Sequence, residues 1–191
     1  LKTTETDTTL SIIAAFILFI SGALALYSFM SEMKMTVLVL ALLTLFSAVS
    51  VWSVAVSQKR KLFSDNTSLF MCVPIFWACI MFMLIFRENA TNPVIPQYTD
   101  RLLAGLFIML AVYRTAALFF KRRGVRIAVF FSLVEIYFVF LYLIGQVIAS
   151  FIGSFETTQP MYEFAAMAGI TIFVIVNLKS MLRCISFEIG K

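Results

Sequence analysis

The sequence predicts an all-α integral membrane protein, a six-transmembrane-helix bundle with both termini in the cytoplasm. Three observations lead there. The chain is 62% hydrophobic and only 13% charged, against about half and about a quarter for a soluble domain. Six apolar runs fill most of its 191 residues, each close to the roughly 20 residues a helix needs to cross a hydrocarbon core of about 30 Å. The basic residues gather in alternate connections, the signature of loops retained on the cytoplasmic side. Strand-like alternation is absent, which argues against a β-barrel. Helices satisfy their own backbone groups in lipid, so this composition implies a helical bundle.

The runs fall in order. The first covers 10–29. Ala23-Leu24-Ala25 looks like a signal-peptide cleavage site, but Lys2 is offset by Glu5 and Asp7 in the segment before it, so a retained helix is expected. The second, 35–56, carries Trp52 near its end as an interfacial anchor and is followed by Lys59, Arg60 and Lys61. The third, 68–86, contains Pro74, which should free the carbonyl of Phe70 and kink the helix. The connection from Arg87 to Asp100 holds Asn89, Asn92, Pro93 and Pro96, a composition for a turn-rich cap. Its Asn89-Ala90-Thr91 sequon lies too near the membrane to count as a glycosylation site. The fourth run, 101–120, leads into Lys121, Arg122, Arg123 and Arg126; the fifth is 127–151; the sixth, 161–185, is accompanied by Lys179, Arg183 and Lys191. With short connections and no linker or repeat, 1–191 reads as one polytopic membrane domain.

Eleven of the fifteen Lys and Arg residues fall on the side of the termini, and Lys34, Arg87 and Arg101 on the other, with Arg114 inside a helix. The net charge of +5 is therefore explained by a cytoplasmic face against anionic headgroups, and no nucleic-acid partner is expected. The expected location is a plasma membrane of bacterial type.

Absences narrow the chemistry. There is no histidine, which removes His-based metal sites and Ser-His or Cys-His nucleophile pairs. No CxxC and no phosphate-binding G-x-x-x-x-G-K-[ST] occurs. Cys72 and Cys79 share a helical face about 10 Å apart, too far to bridge, and read as small packing groups. The three aspartates, Asp7, Asp65 and Asp100, lie outside the apolar runs. No cofactor, metal or catalytic set is expected.

The candidate site is the ionisable residues inside the runs. Arg114 lies about 10 Å and Glu135 about 13 Å from the basic ends of consecutive, antiparallel helices. An unpaired charge at such depth costs at least about 2.5–3.5 kcal/mol, so the two are expected to pair. On the fifth run, Ser132, Glu135, Tyr142, Gln146 and Ser150 fall on one polar stripe that should face the interior, a cavity or a partner helix. Tyr113, Tyr137, Trp77 and Asn177 complete the candidate ligand-binding set. For each there is a plainer role: Arg114 can snorkel to the headgroups, an Arg–Glu pair can simply fix register, and aromatic residues at helical spacing usually pack.

Architecture alone, six helices in 191 residues, resembles the substrate-binding components of energy-coupled vitamin importers. That resemblance implies a small-molecule-binding subunit, although no residue motif of that family occurs and glycine is scarcer here. The leading expectation is thus a small-molecule binding or transport subunit, whose partners are the bilayer and a small ligand. The alternative is a non-catalytic structural or assembly subunit with a membrane-protein partner. A lipid-modifying enzyme, with Glu135 as acid–base and Arg114 on a phosphate, lacks a second acid or nucleophile.

Overall fold

The computed structural model describes residues 5–60, 65–89, 96–120, 124–152 and 160–189. Its helices are α1 (Glu5–Glu32), α2 (Met35–Arg60), α3 (Asp65–Phe70), α4 (Cys72–Asn89), α5 (Pro96–Phe119), α6 (Val125–Ile152) and α7 (Met161–Ile189). Six stretches are long and apolar enough to span a membrane: one on each of α1, α2, α5, α6 and α7, and one running from the end of α3 through α4. No strand occurs among the described residues.

Most helices outrun the apolar runs that predict them, because the backbone ladder continues through polar turns where hydropathy already falls. The aspartates are corrected accordingly. Asp7 lies in α1, Asp65 opens α3 and Asp100 lies in α5. Pro96 opens α5, a first-turn position where a missing N–H costs nothing, so α5 takes up part of the expected cap. The rest of that cap (90–95), and Lys2, Lys61, Lys121, Arg122, Arg123 and Lys191 of the charge pattern, lie outside the described residues.

Just before Pro74, where a kink is expected, the helix is interrupted. The helix ends at Phe70, turns at Met71, whose N–H donates to the Ser68 carbonyl at 3.1 Å, and restarts at Cys72. Pro74 thereby falls in the first turn of α4, where its absent N–H leaves no bond within that helix unmade. Ser68 donates its hydroxyl to the carbonyl of Phe119 at 3.1 Å, satisfying an orphan acceptor at the end of α5.

The helices pack as a closed circuit: α1 on α2, α2 on α4, α4 on α5, α5 on α6, α6 on α7 and α7 on α1, with α7 also touching α5. The α5–α7 contact leaves α6 outside that pair, with one stripe turned inward. α7 is the most enclosed, 67% of its best apolar window being buried. α1 and α7 are antiparallel, since Asp7 meets Arg183 and Ser21 donates to the Tyr162 carbonyl. The start of α1 and the end of α7 therefore lie at one end of the bundle, the terminal end. Close approach is set by small residues. A Cβ on Gly169 would stand 2.9 Å from Leu18 Cγ, and one on Gly22 would stand 2.7 Å from Leu45. Trp77 is fully buried and donates its indole N–H to Thr44 Oγ1 at 2.8 Å, pinning α4 to α2.

Candidate functional site: a polar seam between α5, α6 and α7

The inward stripe of α6 is Ala128, Ser132, Glu135, Val139 and Tyr142, all buried, at the three- and four-residue spacing of one helical face. This agrees with the polar stripe read from the sequence for Ser132, Glu135 and Tyr142. Gln146 is half-buried, and the side chain of Ser150 lies outside the described residues. The stripe faces the α5–α7 pair, and these three helices line a seam with polar groups at three depths.

At the end away from the termini, Arg101 of α5 forms a buried ion pair and hydrogen bond with Glu163 of α7. Tyr142 lies within electrostatic reach of both. At mid-depth, Thr171 of α7 places its hydroxyl 2.7 Å from Glu135 Oε1 and 2.9 Å from the Met167 carbonyl. Glu135 is 0% exposed, yet its Oε2 has no hydrogen-bond partner, nor does Ser132 Oγ beside it. Nearer the terminal end, the buried Thr115 hydroxyl of α5 is also unpartnered. Thr171 follows Glu163 by eight positions, about 12 Å along the helix. Glu135 therefore sits well inside any hydrocarbon layer that the bundle spans.

The expected Arg114–Glu135 pair does not form. Arg114 extends over the rings of Tyr113 and Phe131, with its guanidinium carbon 5.7 Å from each centroid, a cation–π distance. The reason is register and direction. Phe107 stacks on Phe138 with centroids 4.9 Å apart, and the same register sets Arg114 against Phe131, a helical turn short of Glu135. Glu135 meanwhile points at α7. Register and azimuth together separate the two.

The remaining candidates are dispersed. Tyr113 and Tyr137 are 48% and 63% exposed on the outer surface. Tyr113 borders a groove of about 440 Å³ between α4 and α5, with Cys72 and Phe120. Trp77 is committed to Thr44. Asn177 receives the Gln58 amide at 3.4 Å and donates to the Phe173 carbonyl at 2.9 Å, tying α7 to α2. Of the eight ligand-binding candidates, Glu135 and Tyr142 alone are buried along the seam.

Sequence reasoning passed over Arg101, Glu163 and Thr171, and also Asp7. Asp7 is 0% exposed and bound by Lys179 Nζ at 3.0 Å and Arg183 Nη1 at 2.7 Å. By sequence Arg101 belongs with a loop, and Glu163 stands two positions into α7, where an acid is ordinary helix-end chemistry. The available signal is that α5 and α7 run in the same direction, so that charges near their starts share a level.

No family model, curated protein or solved structure matches the chain. What the seam does must therefore be read from its own geometry.

Proposed function

We propose that this multi-pass helical protein is a small-solute binding or transport subunit whose site is the α5–α6–α7 seam around Glu135. One observation carries the reading. A fully buried carboxylate keeps an oxygen without a hydrogen-bond partner, beside a buried serine hydroxyl in the same condition. Buried polar atoms are paired in the great majority of cases, and an ionisable group at that depth in a membrane is retained for ion or substrate handling by default. We further propose that the terminal end faces the cytoplasm, because Lys59, Arg126, Lys179 and Arg183 all gather there. No catalytic step is assigned to the chain.

The test is native mass spectrometry of the gently solubilised protein. A reproducible small-molecule adduct that disappears in Glu135→Gln supports the reading. An adduct equally abundant in Glu135→Gln would place the site elsewhere.

A specific feature favours a second reading, a non-catalytic assembly subunit. The outward face of α6 exposes Phe130, Leu133, Tyr137, Phe140 and Leu141 in succession, a bulky surface that a neighbouring membrane helix could cover. A stoichiometric protein partner and no adduct in the same spectra would establish it.

A further inference from the structure

Among the described residues, three carboxylates are buried: Asp7, Glu135 and Glu163. Two have cationic partners. Asp7 has Lys179 and Arg183, and Glu163 has Arg101. Glu135 has none among the described residues, although it is as deeply buried as Asp7 and, at the level of Thr171, lies further from the nearer end of α7 than either of the others. Its described partner is a hydroxyl, Thr171. Arg114, the basic residue inside the span of the neighbouring α5, is turned away over two aromatic rings. Among the described residues, the buried carboxylates near an end of α7 are thus met by cations and the central one is not.

We propose that Glu135, Ser132 and Thr171 form a binding site for a single alkali-metal cation of the Na⁺ class. The assignment deepens the solute-binding reading of the seam and rests on it. Three features of the oxygens support it. Ser132 and Glu135 are three positions apart on α6, a spacing that brings Cβ atoms to about 5–6 Å, so one ion between them touches both side chains. The unpartnered atoms there, Glu135 Oε2 and Ser132 Oγ, are electron-pair donors. Thr171 carries one hydroxyl proton and faces two acceptors, Glu135 Oε1 and the Met167 carbonyl. With its proton on the Met167 carbonyl, its lone pairs are free to meet a cation beside Glu135.

Charge decides the valence. A carboxylate and a monovalent cation make a neutral unit, whereas a divalent ion would leave a net charge in the low-dielectric interior. No group of three or more His, Cys, Asp or Glu side chains suited to a metal occurs among the described residues, which also speaks against a transition-metal or calcium site. All three ligands are oxygens, the donor type that hard ions prefer.

The test is thermal unfolding of the full chain in nanodiscs, in NaCl, LiCl, KCl or choline chloride at equal ionic strength, alongside the native mass spectra described above. A saturable rise in Tm with Na⁺ over choline is expected, lost in Glu135→Gln. Ser132→Ala should raise the half-saturating Na⁺ concentration severalfold. Thr171→Val, which keeps the side-chain shape, should do the same and serves if Glu135→Gln does not fold. An identical Tm in all four salts overturns the cation assignment, as does a Na⁺ response unchanged in Thr171→Val and Ser132→Ala. If a Glu135-dependent organic adduct is seen while Tm ignores the salt, the cation assignment fails and the seam reading survives. If neither is seen, both fail.

Discussion

At its two ends α7 meets charge with charge, and at its middle it offers Glu135 only a hydroxyl. The Arg101–Glu163 pair ties α7 to α5, and Asp7 with Lys179 and Arg183 ties it to α1. Between them the Glu135–Thr171 contact joins α7 to α6 with one carboxylate oxygen to spare. The ends are organised to hold helices together. The middle is organised as though something else completes it. Even the ends differ: Arg101 and Glu163 are both buried, while Lys179 and Arg183 remain 46% and 39% exposed.

That contrast can be broken most severely at Arg101. Arg101→Ala strands the Glu163 carboxylate in the interior and should cost about 3–5 kcal/mol, read as a large drop in Tm. The double variant Arg101→Met with Glu163→Leu should recover most of that loss, because two apolar groups leave no unpaired charge. Next is the helix contact beside the seam. In Gly169→Ala the new methyl meets Leu18 and approaches the Ala14 carbonyl to 3.3 Å, so overpacking should cost about 1–3 kcal/mol. At the terminal end, Asp7→Ala should cost less than Arg101→Ala, roughly 1 kcal/mol, because the partly exposed Lys179 and Arg183 can extend to water. Smallest of all, Glu135→Gln keeps an acceptor for Thr171 and should shift stability by under about 1 kcal/mol, while abolishing any response to bound solute. A Glu135→Gln variant as unstable as Arg101→Ala would mean that the middle of α7 is structural too, and the contrast would collapse.

The sequence made the six spans legible because hydropathy over about 20 residues is a direct reading of solvent preference. The polar stripe of α6 was legible for a related reason: period and face follow from helical geometry alone. Partner choice was not. Depth along a helix can be counted in residues, but rotation about its axis and the identity of non-consecutive neighbours cannot. Arg114 and Glu135 match in depth to about a turn on consecutive helices and diverge by that turn and by direction. Arg101 and Glu163 sit on helices two apart in order, and only the α5–α7 contact brings them together. Pro74 was recognised as a perturbation, yet whether a proline bends a helix or splits it depends on the turn before it. Here Met71 makes the split.

The separation of the two charged ends of α7 has a consequence for where the protein can reside. Glu163 and Arg183 are twenty positions apart on one helix, about 30 Å, matching a typical hydrocarbon thickness. In a thinner bilayer a span of fixed length accommodates by tilting. Tilting α7 relative to its neighbours would pull against α5 at one end and α1 at the other, and shear two ion-pair clusters at once. In a bilayer, a strut of this length would hold the bundle best where the lipid tails match it, and would come under strain as they shorten.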